Sequence, residues 1–153
     1  MDFHLGMTFQ LLSDLSDADL LVRPVPSANH IAWQLGHLIN SEVMLLQLGT
    51  GMPTFRLPDD FAARHGKETA AKDSATDFLT KAEYIDLFKK VRSATLSALE
   101  AMPETTLDNA TPESFKSYAP TVGALLMLIA NHPLMHSGQF SVVRRKLGKT
   151  VLF

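Results

Sequence analysis

The chain contains no cysteine. That absence removes disulfides, thiolate nucleophiles and every cysteine-ligated zinc or iron–sulfur site, so any metal must be held by His, Asp or Glu. Excess positive charge is missing as well. Lys and Arg total 14 against 16 Asp and Glu, a formal charge of -2. No global positive field exists to condense on phosphates, and no nucleic-acid partner is expected. Long hydrophobic runs are also lacking. No stretch approaches the ~18 uncharged apolar residues that cross a bilayer, and "MDFHLGMTFQ" lacks the basic segment and unbroken apolar run of a secretory leader. A soluble, cytoplasmic protein without a membrane partner is the expectation. Nothing in the chain alternates apolar and polar residues in the sustained way of a half-buried strand.

What is present is helical periodicity in four segments, within a length of 153 residues that fits one domain spanning residues 1–153. The first segment runs from about Phe3 to Leu21, with Leu5, Phe9, Leu12 and Leu20 apolar, and stops before "RPVP". The second follows Ser27, read as an N-cap, through "ANHIAWQLGHLINSEVMLLQL" to Gly49 and Gly51. Its internal Gly36 costs about 1 kcal/mol of helix propensity against Ala, a cost that close approach of another helix would explain. The third opens on the capping box "TKAE", Thr80 to Glu83, and ends at Met102 before Pro103. The fourth runs from Thr121 to about Leu147, where Arg144, Arg145 and Lys146 suit the negative end of the helix dipole. Residues 49–78, between the second and third helices, and the stretch from Pro103 to Pro120 are long polar connections. Connections of that length cover a site or cross over a bundle. The expected fold class is therefore all-α, a four-helix bundle with long crossover connections.

Chemistry concentrates in "NHPLMHSGQF", residues 131–140. His132 and His136 stand at i and i+4, on one helix face about 6 Å apart along the axis, as a chelating pair requires. Pro133 occupies the position where a zincin peptidase carries its glutamate, so that chemistry is disfavoured. The missing proline amide is also expected to bend the helix. Leu125, Leu128 and Ile129 lie on roughly the same face, so both imidazoles point toward a core and need partners there. Two desolvated histidines favour a shared cation or a polar cavity.

A third ligand must come from another helix, and His37 in "WQLGHLINSE" is the candidate. His30, seven positions earlier, is about 10 Å away along the axis, too far to share an ion, and is read as a hydrated helix-end residue. His4 and His65 are read as surface residues, unless the connection folds back and brings His65 to a site. Asn40, Ser41 and Gln139 have the directions for hydrogen bonds to ligands or bound water. Glu42 is turned about 140° from His37 and reads as a solvated or interhelical charge.

"LSDADLLVRPVPSANHIAWQLGHLINSE" and "TVGALLMLIANHPLMHSGQFSVVRRKLGK" together resemble the DinB-like, or YfiT-like, metalloenzyme superfamily. The more specific match is "H-x-x-x-H-x-G-Q" leading into "RRKLG". The resemblance covers helices one, two and four and departs from the usual pattern at Pro133. It implies a divalent metal held by one histidine on the second helix and two on the fourth, which fall on His37, His132 and His136. It also implies a homodimer and, by analogy with some relatives, dependence on a low-molecular-weight thiol.

Three neutral imidazoles leave a divalent ion its full charge and an open position, the layout of a catalytic site. Zinc or nickel suits the donors best, with ferrous iron also compatible. The expected activity is that of a hydrolase or thiol-dependent transferase acting on a small molecule. The alternative is a non-catalytic helical bundle for binding or dimerisation, its histidines structural or vestigial.

Overall fold

A computed structural model describes residues 2–52, 55–150 and 152. Among them are five α-helices: α1 (Asp2–Leu12), α2 (Ile31–Thr50), α3 (Phe61–Arg64), α4 (Lys81–Ala101) and α5 (Val122–Lys146). The described residues form no strand beyond one isolated bridge between Ala110 and Thr121. No helix among them is long and apolar enough to cross a membrane. The fold is the expected all-helical bundle, with one short extra helix inside the first long connection.

The partners of each helix fix its direction. His4 reaches Ala130, Thr8 reaches Ser137, and the Leu11 carbonyl reaches Arg144, so α1 and α5 run parallel. Gln34 meets His136 while Gly49 faces Leu125, so α2 is antiparallel to α5. Lys81 reaches the end of α1 and Phe88 packs on Phe9, so α4 is antiparallel to α1. The topology is up-down-down-up. Parallel neighbours cannot be joined by a tight turn, which is why α2 and α4 need the long connection between them.

Two boundaries depart from expectation, where local caps combine with groups distant in sequence. The first helix ends at Leu12, not Leu21. Ser16 and Asp19 cap each other reciprocally, the Ser16 amide donating to Asp19 Oδ2 (2.8 Å) and the Asp19 amide to Ser16 Oγ (3.2 Å), and a separate single turn starts there. Short polar side chains that bond nearby amides compete with helix continuation. The carbonyls left open at the end of α1 are taken by Lys81 Nζ, which bonds Leu12, Ser13 and Leu15, and by Arg144 Nη1, which bonds Leu11. Arg144, in the last turn of α5 as expected, is buried and tied also to Asp14 and the Thr150 carbonyl.

The second helix begins after His30 instead of Ser27. The Trp33 amide donates to His30 Nδ1 (3.1 Å), while His30 Nε2–H donates to the Lys72 carbonyl (3.0 Å). A fully buried histidine with both nitrogens bonded does not hydrate at a helix end, contrary to the sequence reading. Gly51, in the left-handed region at φ 67°, closes α2 with its amide on the Gln47 carbonyl. The Thr80–Glu83 capping box opens α4 and Thr121 caps α5, both as expected. α5 continues as α-helix without interruption through Pro133.

The core divides into two apolar clusters. One gathers Leu11, Leu12, Ile31, Leu35, Ile39, Phe88, Phe140 and Val143 among others; the second gathers Leu45, Leu46, Phe115, Val122, Leu125 and Ile129. Along α5 the first cluster starts at Phe140 and the second stops at Ile129. Residues 130–139 fall between them, and there the buried positions include His136 and Ser137. On α5 a partly polar stretch therefore separates the two clusters, while on α2 the first cluster continues past it through Leu35, Leu38 and Ile39. Each large side chain that defines those clusters contributes about 1.5–3 kcal/mol by burial, which is what allows the bundle to carry polar groups at mid-height.

Candidate metal centre

Facing this stretch of α5, α2 presents His37, and α5 itself presents His132 and His136. Their ring centroids are 5.2 Å (37 to 132), 5.4 Å (37 to 136) and 4.9 Å (132 to 136) apart. One nitrogen from each ring lies within 4.8 Å of the other two. Donors sharing one tetrahedral ion at 2.0–2.1 Å stand about 3.4 Å apart, so modest side-chain rotation closes the set. His136 is buried, whereas His37 and His132 are half-buried, which leaves one side of the trio open to solvent.

Burial makes all three imidazoles poor bases. Desolvation lowers His37; desolvation and then the neighbouring His37 push His132 down to about 4. Desolvation followed by His132 and His37 brings His136 to about 3. Neutral rings keep lone pairs available, the protonation state a cation requires.

The trio has a fixed backing. Trp33, one turn before His37, stacks on its ring at 5.2 Å with planes 4° apart, and Trp33 Nε1–H donates to the Gly66 carbonyl (3.1 Å). His136 Nδ1–H donates to Gln34 Oε1 (2.7 Å), and Gln34 Nε2–H donates to the Asn29 carbonyl (2.7 Å). Of the polar residues expected to serve the site, Ser41 is buried, Asn40 half-buried and Gln139 exposed. The side chain that bonds the trio among the described residues is Gln34. Sequence reading missed it, although a glutamine one turn before a candidate ligand on the same helix was the available signal.

Glu42 is the interhelical charge. Arg92 Nε and Nη2 donate to its two carboxylate oxygens at 2.8 and 2.7 Å, with both side chains 3% exposed. Its carboxylate is thereby committed away from the imidazoles.

The remaining histidines correct the sequence reading. His65 is buried, not on the surface: its Nδ1–H donates to the Phe61 carbonyl (2.8 Å) and its Nε2 accepts from the Tyr84 hydroxyl (2.7 Å). It lies flat against Gly36, where an added Cβ would sit 1.9 Å from its ring. Gly36 thus admits the His65 side chain at the end of the short α3, and not one of the long helices. His4 is half-buried with Nδ1–H on the Ala130 carbonyl (2.9 Å).

A profile of the DinB superfamily matches residues 1–140, a span holding all three clustered imidazoles. Among solved structures, a conserved protein from Enterococcus faecalis superposes with a TM-score of 0.71, over 97% of this chain and 93% of that one, at 18% identity. At that identity the likeness is one of fold. A search among curated proteins found no match.

Proposed function

We propose, from the premise that this chain belongs to the DinB superfamily, that it is a metal-dependent enzyme in which His37, His132 and His136 hold one divalent ion. The observation that carries the reading is the convergence of three neutral imidazole nitrogens from two helices on one partly open point. Zinc and nickel are the ions the donor set suits best. A bound ion of this kind supplies Lewis acidity, lowering the pKa of a water or thiol placed at its open position.

The chain's own residues set what can approach. Outside Glu42, α2 carries no charged residue, and α5 carries none before Arg144. Met44 on α2, two turns after His37, and Met135 on α5, next to His136, are exposed, so these two helices add apolar and no charged surface near the trio. Asn40, Ser41 and Gln139 supply polar contacts to the incoming molecule. A small substrate of low charge fits such a mouth. Of the two reactions, thiol-dependent transfer is favoured over hydrolysis, because the one carboxylate of α2 is engaged by Arg92 and is not at hand as a general base. The thiol is a low-molecular-weight cofactor. Homodimerisation belongs to the same reading, supported by an exposed stripe of Met127, Leu134, Met135 and Val142 along α5.

Elemental analysis of untagged protein, followed by titration with zinc and nickel, tests the premise: one ion per chain is expected. Protein that carries and gains none would leave only a helical bundle with structural histidines. Metal-loaded protein offered a thiol and an electrophile should consume both, while ester or amide cleavage without thiol would reverse the preference. Sedimentation at increasing concentration checks the dimer, which a monomer throughout would remove.

A further inference from the structure

The polar contact behind His136 does more than fill space. A neutral imidazole carries its single proton on one nitrogen and its lone pair on the other, and the partner of one nitrogen decides the role of the other. Gln34 offers His136 either an oxygen or an amide, depending on how its own terminal group is turned. The Asn29 carbonyl settles that: it is an acceptor only, so it holds Gln34 Nε2 (2.7 Å) and turns Oε1 toward His136 (2.7 Å). Gln34 is 1% exposed and His136 8% exposed, so water does not compete strongly for either group.

We infer that Gln34 is a positioning residue that fixes His136 as the Nδ1–H tautomer and leaves its Nε2 as the electron-pair donor facing His37 and His132. This rests on the metal reading for its use, not for its structure, since the tautomer is a property of the protein alone. The acceptor is an amide, not a carboxylate. It aims the ring without adding negative charge behind it, so an ion held by the three imidazoles keeps its full charge. The rest of the device is backbone. Asn29 immediately precedes the cap of α2, and the cap residue His30 is tied to the Lys72 carbonyl (3.0 Å), so the long connection holds the end of the relay in place.

The experiment starts with metal-free wild-type protein carrying ¹⁵N-labelled histidine. Two-bond proton–nitrogen correlation spectra at neutral pH should give His136 the pattern of a protonated Nδ1 and a bare Nε2. A protonated Nε2 in the wild-type protein would by itself overturn the inference. Gln34→Leu keeps the approximate size and removes the acceptor. His136 should then lose its single-tautomer pattern, and zinc affinity measured by chelator competition should fall by about 10–100-fold. Gln34→Glu restores an acceptor and should return both the Nδ1–H pattern and at least the wild-type zinc affinity. Unchanged tautomer and affinity in Gln34→Leu would also overturn it. A wild-type protein that binds no zinc, yet shows the Nδ1–H pattern and loses it in Gln34→Leu, would refute the metal reading while upholding the role of Gln34.

Discussion

α2 adjoins two groups of histidines, and they are built on opposite plans. On one side His30 and His65 each have both ring nitrogens engaged by protein: Trp33 and Lys72 for the first, Phe61 and Tyr84 for the second. On the other side, His37, His132 and His136 lie within reach of one another, and the protein hydrogen bond of the trio among the described residues is the one that His136 donates to Gln34. Burial lowers the basicity of rings in both groups, so desolvation does not separate them. Satisfaction does. A buried imidazole with two partners is a strut, whereas three convergent imidazoles with one partner among them retain donor capacity that a cation can use.

The sharpest way to break the comparison is to remove one member from each side. His37→Ala and His132→Ala should each abolish stoichiometric zinc binding, measured by calorimetry, with the helical spectrum retained. His65→Ala should leave the stoichiometry at one while lowering stability by about 2–4 kcal/mol, through the cavity and the unpaired Tyr84 hydroxyl. Either variant behaving like the other would erase the distinction. Gly36→Ala attacks the strut without touching its hydrogen-bonding atoms. A methyl group placed 1.9 Å from the His65 ring forces that ring to move, at a cost of about 1–3 kcal/mol. In denaturant melts the double variant Gly36→Ala/His65→Ala should be less unstable than the sum of the two, because the clash disappears with the ring.

Acid sharpens the same contrast as a slope. An unfolded histidine titrates near pH 6.5, whereas folded His132 and His136 hold out to about 4 and about 3. Between these limits the unfolded chain binds protons that the folded rings refuse. Their contribution to stability is therefore complete above about pH 7 and is lost as pH falls from about 6.5 toward 3. Urea midpoints of metal-free protein should drop between pH 7.5 and pH 5, and less steeply in His132→Gln/His136→Gln. Equal slopes would mean that these rings are not desolvated in the folded state.

Most of this fold could be read from local rules, and the misreadings share one cause. The capping box at Thr80, the cap at Thr121 and the periodicity of α4 and α5 are decided by residues within a few positions, and those boundaries matched. The i, i+4 pair of His132 and His136 is likewise local, and an apolar face directs it inward. Helix ends at Leu12 and His30, by contrast, join local caps to groups far away in sequence: Lys81 and Arg144 at the first, Lys72 at the second. His65 looked exposed because its surroundings in the chain are polar, and nothing local reveals that Gly36 and Tyr84 will receive its ring. Gln34 was overlooked for the same reason, since its importance lies in a contact with His136, 102 positions away.

The smallest expected effect asks whether the two histidine groups communicate through the turn of α2 they share. Tyr84→Phe deletes the hydroxyl that donates to His65 Nε2 and accepts from the Leu79 amide (3.4 Å), leaving the ring volume in place. The loss should be about 1 kcal/mol, the usual net worth of a buried hydrogen bond, read as a shift in denaturant midpoint with unchanged slope. Zinc affinity should stay within about twofold, because His65 still fills the space above Gly36 and Trp33 still holds the His37 ring from behind. A larger loss of affinity would place the Tyr84 hydroxyl in the support of His37, and the strut would then be part of the site it was set against.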